Sequence, residues 1–149
     1  MSSERMKSSS EIEQAIFMIK PDGQKREVAG FPLPQLISGL LLATDLIIRE
    51  QSRTLLDEEE IRQIYPVLNQ PSDFGEQWKL DVIQALQAAP LQALLIEGVQ
   101  AENKAKTIRR YLREKLTDRT TEHGKIVENL AHVSDSEDFD ITYQVLFKP

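Results

Sequence analysis

Short apolar runs alternate with helix-spaced stretches along this chain, and that alternation limits the folds open to it more than any other feature. Residues 15–19 form a compact apolar run closed by Pro21-Asp22-Gly23, the pattern of a buried strand ending in a turn. Pro32 and Pro34 suit a helix start, and Leu36, Ile37, Leu40 and Leu41 follow at helical spacing. Leu46, Ile47 and Ile48 begin a second strand that turns polar by Glu50. Asp57 and Glu60 are spaced as a capping box, and Glu58, Glu59 and Glu60 fill the positive first turn of the helix they open. Ile61, Ile64 and Tyr65 mark that helix, and Pro66 ends it. Phe74, Trp78, Val82 and Leu86 share one face of the next helix, and residues 91–96 are a third strand closed by Glu97-Gly98. Residues 99–116 contain no Gly or Pro and read as a long helix, residues 117–125 as a polar loop, and residues 129–132 as a short fourth strand. The last element stays open: Phe139, Thr142, Tyr143, Leu146 and Phe147 fit helical spacing, whereas Ile141, Thr142, Tyr143 and Val145 favour strand.

The order β-α-β-α-α-β-α-β-α predicts an α/β (α+β) fold, a sheet with helices packed on it, with which a four-stranded ferredoxin-like sheet is compatible. A length of 149 residues suits one core. The expected organisation is a polar flexible tail over residues 1–11 and a single domain over residues 12–149. The N-terminal stretch is polar and has no signal-peptide character. The longest apolar stretch, residues 40–48, is interrupted by Thr44 and Asp45 and is too short to span a bilayer, so the expectation is a cytoplasmic protein with no membrane partner. The absence of cysteine excludes disulfides, thiol catalysis and thiolate metal sites. With His123 and His132 as the only histidines, no protein-held metal site is expected. A net charge of -6 disfavours general binding to nucleic acid or anionic membrane, so an anionic substrate would need a local basic patch.

Three constellations could carry chemistry. Ser134 and Glu137 are spaced as a capping box, which puts a helix start just after His132. The positive end of a helix disfavours imidazolium and favours phosphate, which suits a neutral histidine nucleophile; a structural histidine packed against a helix start is the alternative. Lys20 follows the first strand, in the longer pattern Lys20-Pro-Asp-Gly-x-x-Arg26-x-x-x-Gly30, although Pro-Asp-Gly is also an ordinary turn. Lys106, Arg109, Arg110 and Arg113 fall at i, i+3, i+4 and i+7 and share a helix face, while Ile108, Tyr111, Leu112 and Leu116 mark a different, core-facing stripe. Such a basic face could hold a polyphosphate through arginine, or be solvated, or contact RNA.

Together, the Lys20 pattern and Asn129-Leu-Ala-His132-Val-Ser134-Asp135-Ser136 resemble the nucleoside diphosphate kinases, in order and approximate spacing, over about residues 13–147. The resemblance implies a ferredoxin-like four-stranded antiparallel sheet with helices packed on it, and ping-pong transfer of the γ-phosphate from a nucleoside triphosphate to a nucleoside diphosphate through phosphohistidine. His132 would be the nucleophile, and Lys20 and Asn129 would bind the sugar hydroxyls and nearby phosphate. Tyr65 would position the histidine and phosphate, and Phe74 would stack on the base. Lys106-Thr107-Ile108-Arg109 is similar to the family's Lys-Thr-Gly-Arg, which makes Arg109 a phosphate ligand, with Thr117 and Arg119 as further phosphate contacts. ATP as donor and Mg2+ on its phosphates come with this reading.

The chain departs from the family pattern at several points. Val133 replaces the glycine after the histidine, and residues 140–143 offer no glutamate to orient the ring. The loop between the basic helix and His132 is shorter than the family's, and the sequence stops at Pro149. Both favour a homodimer over a hexamer. The alternative function is a catalytically impaired nucleotide-binding pseudoenzyme acting as a sensor or protein-interaction module. An RNA-binding ferredoxin-like domain is a third reading, opposed by the net acidity and the few aromatics.

Overall fold

The computed structural model describes residues 11–71, 75–116 and 130–147. Residues 1–10, most of the expected tail, and the expected loop at 117–125 lie outside them. In chain order the elements are β1 (Ile12–Ile19), α1 (Pro21–Lys25), β2 (Glu27–Val28), β3 (Phe31–Pro32), α2 (Leu33–Ala43), β4 (Ile47–Thr54) and α3 (Glu58–Ile64). A 3₁₀ turn (Pro66–Asn69) follows, then α4 (Gly75–Leu86), β5 (Leu91–Val99), α5 (Ala101–Leu116), β6 (Ala131–Val133) and α6 (Phe139–Phe147).

The two most apolar runs, β1 and β5, lie at the centre of the main sheet because they are buried on both faces. They pair antiparallel from Ile12 opposite Val99 to Ile19 opposite Gln92. β4 adds antiparallel to the outer edge of β5, and β6 adds antiparallel to β1, giving the order β4-β5-β1-β6. This is the expected four-stranded antiparallel, ferredoxin-like sheet. The strand period of two sends alternate side chains to two cores. Ala15, Phe17 and Ile19 pack with Leu33, Ile37 and Leu41 of α2 and with Ala105, Ile108 and Leu112 of α5. Ile16 and Met18 face the other way, against Ile61 and Ile64 of α3, Trp78 and Ile83 of α4 and Leu146 of α6.

Local chemistry sets the element ends. The capping box of α3 is reciprocal: Glu60 N donates to Asp57 Oδ1 at 2.8 Å, and Asp57 N donates to Glu60 Oε1 at 2.9 Å. Pro32 is the N-cap of α2, as a proline-rich helix start requires. Ala29 (φ 53°) and Gly30 (φ 85°) form the two-residue loop between β2 and β3, where both central residues need positive φ.

Several expectations change. Pro21-Asp22-Gly23 opens α1 rather than forming an isolated turn. Tyr65 lies just past α3, as its C-cap, rather than within it. β4 continues to Thr54 despite its polar sequence, because an edge strand keeps its backbone ladder while its side chains meet water. Tyr111 is 56% exposed, so the inward stripe of α5 is Ala101, Ala105, Ile108 and Leu112. The undecided last element is a helix: burial of Thr142 and Leu146 outweighs the strand propensity of its β-branched residues. Among the described residues no helix is long and apolar enough to cross a membrane.

Candidate active site

His132 occupies the middle of β6, opposite Met18 of β1. Its neighbours Ala131 and Val133 are buried in the core formed with α2 and α5. Strand alternation therefore turns His132 to the opposite face. There its ring meets Tyr65, with centroids 4.8 Å apart and planes inclined at 53°. Lys20, the N-cap of α1, is 6% exposed, and its Nζ lies 5.5 Å from the centroid of the same tyrosine ring. Arg109 and Arg113, a helical turn apart on α5, bring guanidinium groups to this cluster. Arg113 Nη2 donates to the carbonyl of Ala131 at 2.6 Å, one residue before the histidine. Lys106 donates to Glu102 at 2.8 Å and also to Asp135, so its charge is tied to the turn that follows β6.

The electrostatics follow from burial among cations. His132 is held well below its ordinary value of 6.5, first by burial and then by the charges of Lys20, Arg109, Arg113 and Lys106, so the imidazole is neutral. Burial, reinforced by Arg113 and Arg109 and opposed by Asp22, lowers Lys20 to about 7. Burial raises the Tyr65 phenol, which remains protonated. Burial pushes Arg113 down to about 10 and lowers Arg109 as well, and both stay cationic at neutral pH. Tyr65 Oη, Arg109 Nε and His132 Nε2 are buried with no hydrogen-bond partner among the described residues. Buried polar atoms left unpaired are costly, so a site with three of them is suited to a polar ligand or ordered water.

The neutral histidine has a different cause from the expected one. Ser134 does not cap a helix; its Oγ accepts from Ile16 N at 2.9 Å, and its own N–H donates to Ile16 O at 3.0 Å. These bonds extend the pairing of β6 along β1, and α6 begins only at Phe139. The turn before it is held by Asp135 N donating to Asp138 Oδ1 at 2.7 Å. Val133 is 1% exposed and packs into the α2/α5 core, so its branched side chain points away from the histidine face.

Of the residues singled out from sequence, the structure brings together His132, Lys20, Tyr65 and Arg109. Phe74, Thr117, Arg119 and Asn129 lie outside the described residues. Arg113 was read only as part of the basic face, and Asp22 and Gly23 only as part of the Lys20 pattern, with no individual site role. Arg113 had a signal, its place one turn beyond Arg109 on the basic face. For Asp22 and Gly23 the Lys20 pattern could not show their contacts with Leu130, far along the chain. Arg26 of the Lys20 pattern is structural here: its Nη1 donates to Leu116 O at 2.8 Å, at the end of α5.

No family model and no curated protein matches this sequence. Solved structures do match. A halophilic nucleoside diphosphate kinase from Halobacterium salinarum, in complex with CDP, superposes with a TM-score of 0.70 at 21% identity, over 93% of this chain and 90% of that one. The transition-state mimic of the Borrelia burgdorferi nucleoside diphosphate kinase with vanadate and ADP matches at a TM-score of 0.66 and 18% identity, over 92% and 88% of the two chains. The Aquifex aeolicus nucleoside diphosphate kinase matches at 0.64 and 17%, over 91% and 94%. Across some nine-tenths of its length, the chain has the fold of the nucleoside diphosphate kinases.

Proposed function

We propose that this protein binds nucleoside di- and triphosphates and passes a phosphoryl group between them through His132. A nitrogen of the neutral imidazole attacks the γ-phosphorus of ATP. The bond to the β–γ bridging oxygen breaks, and the nucleoside diphosphate leaves. The terminal oxygen of an acceptor diphosphate then attacks the same phosphorus and restores the imidazole. Lys20, Arg109 and Arg113 stabilise the charge on the transferring oxygens, the main task in phosphoryl transfer. Tyr65 packs against the ring and fixes its face. Mg2+ arrives as part of the nucleotide substrate. Asn129 and Lys20 hold the sugar, Phe74 stacks on the base, and Thr117 and Arg119 add phosphate contacts. The observation that carries this reading is a neutral histidine whose buried Nε2 has no partner among the described residues, set beside Lys20 and the guanidinium groups of Arg109 and Arg113 in a fold shared with nucleoside diphosphate kinases.

The test is turnover with ATP, magnesium and a second nucleoside diphosphate. Wild type forms the corresponding triphosphate, and His132→Ala does not. Equal rates in the two proteins would overturn the assignment. The reading also carries a cytoplasmic homodimer, which sedimentation checks; a hexamer would contradict it.

One observation favours the second reading, a nucleotide-binding pseudoenzyme. Among the described residues no group hydrogen-bonds His132 Nε2, so that nitrogen has no orienting partner. Tyr143, in the stretch where a carboxylate would be sought, donates instead to Glu50 of β4 at 3.1 Å. Saturable ATP binding without transfer would establish this reading over the first.

A further inference from the structure

Leu130, the residue that leads into β6, has φ +73°, a left-handed conformation that leucine adopts only where its surroundings impose it. The surroundings are those of α1. Lys20 N donates to Leu130 O at 2.9 Å, and Leu130 N donates to Asp22 Oδ2 at 3.0 Å. Both backbone polar groups of Leu130 are thereby held by the residues on either side of Pro21. Gly23 allows the approach: a Cβ there would sit 2.6 Å from Leu130 O. Two residues further along β6 is His132, and the residue holding the carbonyl is Lys20 itself.

We infer that Asp22 is a positioning residue: its carboxylate clamps the Leu130 backbone and so fixes the strand that carries His132 against the helix start that carries Lys20. This role rests on the phosphoryl-transfer reading for its purpose, although the clamp is a property of the ligand-free chain. Asp22 acts on both halves of the site. Besides holding Leu130, it is the group that favours the charged form of Lys20 against the cations of Arg113 and Arg109 from α5. Tyr65 from the end of α3 and His132 from β6 complete the groups around that amine. A carboxylate bonded to a backbone N–H is the stronger, charge-assisted kind of hydrogen bond, so the clamp outweighs an ordinary turn contact.

The test uses the full-length protein without ligand, comparing wild type, Asp22→Asn and Asp22→Ala by NMR. Asn keeps an acceptor oxygen but loses the charge, and Ala loses both. In Asp22→Ala the Leu130 amide is expected to exchange with solvent at least about tenfold faster than in wild type, with Asp22→Asn between them. In both variants the Lys20 amine is expected to titrate at a lower pH, which a merely structural contact would not produce. Unchanged Leu130 exchange together with an unmoved Lys20 titration would overturn the inference, and so would faster exchange with an unmoved titration. If an Asp22 variant fails to fold, the titration of wild-type Lys20 and the protection of Leu130 still decide: a Leu130 amide that exchanges as freely as an exposed one contradicts the clamp. These readouts are independent of turnover. A failure of the kinase reading would show separately, as wild type that neither binds nor transfers phosphate.

Discussion

His132 and Lys20 owe their unusual titration to one circumstance: both are removed from water into a cluster that also holds Arg109 and Arg113. The sign of the effect on stability is the same for each base. A base whose pKa falls on folding binds fewer protons in the native state than in the unfolded one, so stability rises with pH between the two values. For Lys20 that window runs from about 7 to the ordinary 10.5. Denaturant unfolding across that range is expected to show a rise that Lys20→Met flattens; an equal rise in the variant would contradict the burial. For His132 the window lies below 6.5, so acidification is expected to cost wild type stability that His132→Gln retains. An identical acid response in the two proteins would contradict it. Which side chains might react was legible in sequence, since Lys20 and His132 end and fill strands and their motifs stand out. The neutrality of His132 was anticipated, but from a local helix start, whereas it arises first from burial and then from Lys20 and the α5 cations; the lowering of Lys20, by burial among the same cations, was not legible.

At the scale of the element, what could be read was what neighbours in sequence determine. The Asp57–Glu60 capping box spans a single turn and formed as its spacing required. Asp57→Ala is expected to cost about 1 kcal/mol, measured by chemical denaturation, with no effect on nucleotide binding. What could not be read depends on contacts between distant segments. Ser134 and Glu137 have the same spacing signature, yet Ser134 is drawn into pairing with Ile16 of β1, and the helix start moves to Phe139. α1 is another such case: its fit against Leu130 needs the bare Cα of Gly23. Gly23→Ala is expected to destabilise the fold by about 2 kcal/mol through overpacking. It should also weaken nucleotide binding, by displacing β6 from Lys20. A variant with wild-type stability and affinity would show that the close approach is not needed.

At the scale of the whole molecule, the alternation of strand and helix was enough to anticipate a sheet with helices packed on it, because its apolar runs must be covered, while the four-stranded antiparallel form came from the family resemblance. The strand order was anticipated only as a class, since pairing is set by long-range packing. The sheet places β1 beside β6, and that adjacency assembles residues from opposite ends of the chain into one site. It also explains how a chain of net charge -6 presents a cationic cluster: Lys20, Arg109 and Arg113 converge, while the acids of α3 remain on the surface. The site is thus a product of topology, and its chemistry is open to direct measurement. Intact-protein mass spectrometry after incubation with ATP and magnesium, on wild type and His132→Ala, tests it most directly. The expected result is an acid-labile phosphoryl adduct on wild type alone, discharged when a nucleoside diphosphate is added. An adduct that persists in His132→Ala, or wild type that binds ATP and forms none, would contradict phosphoryl transfer through His132.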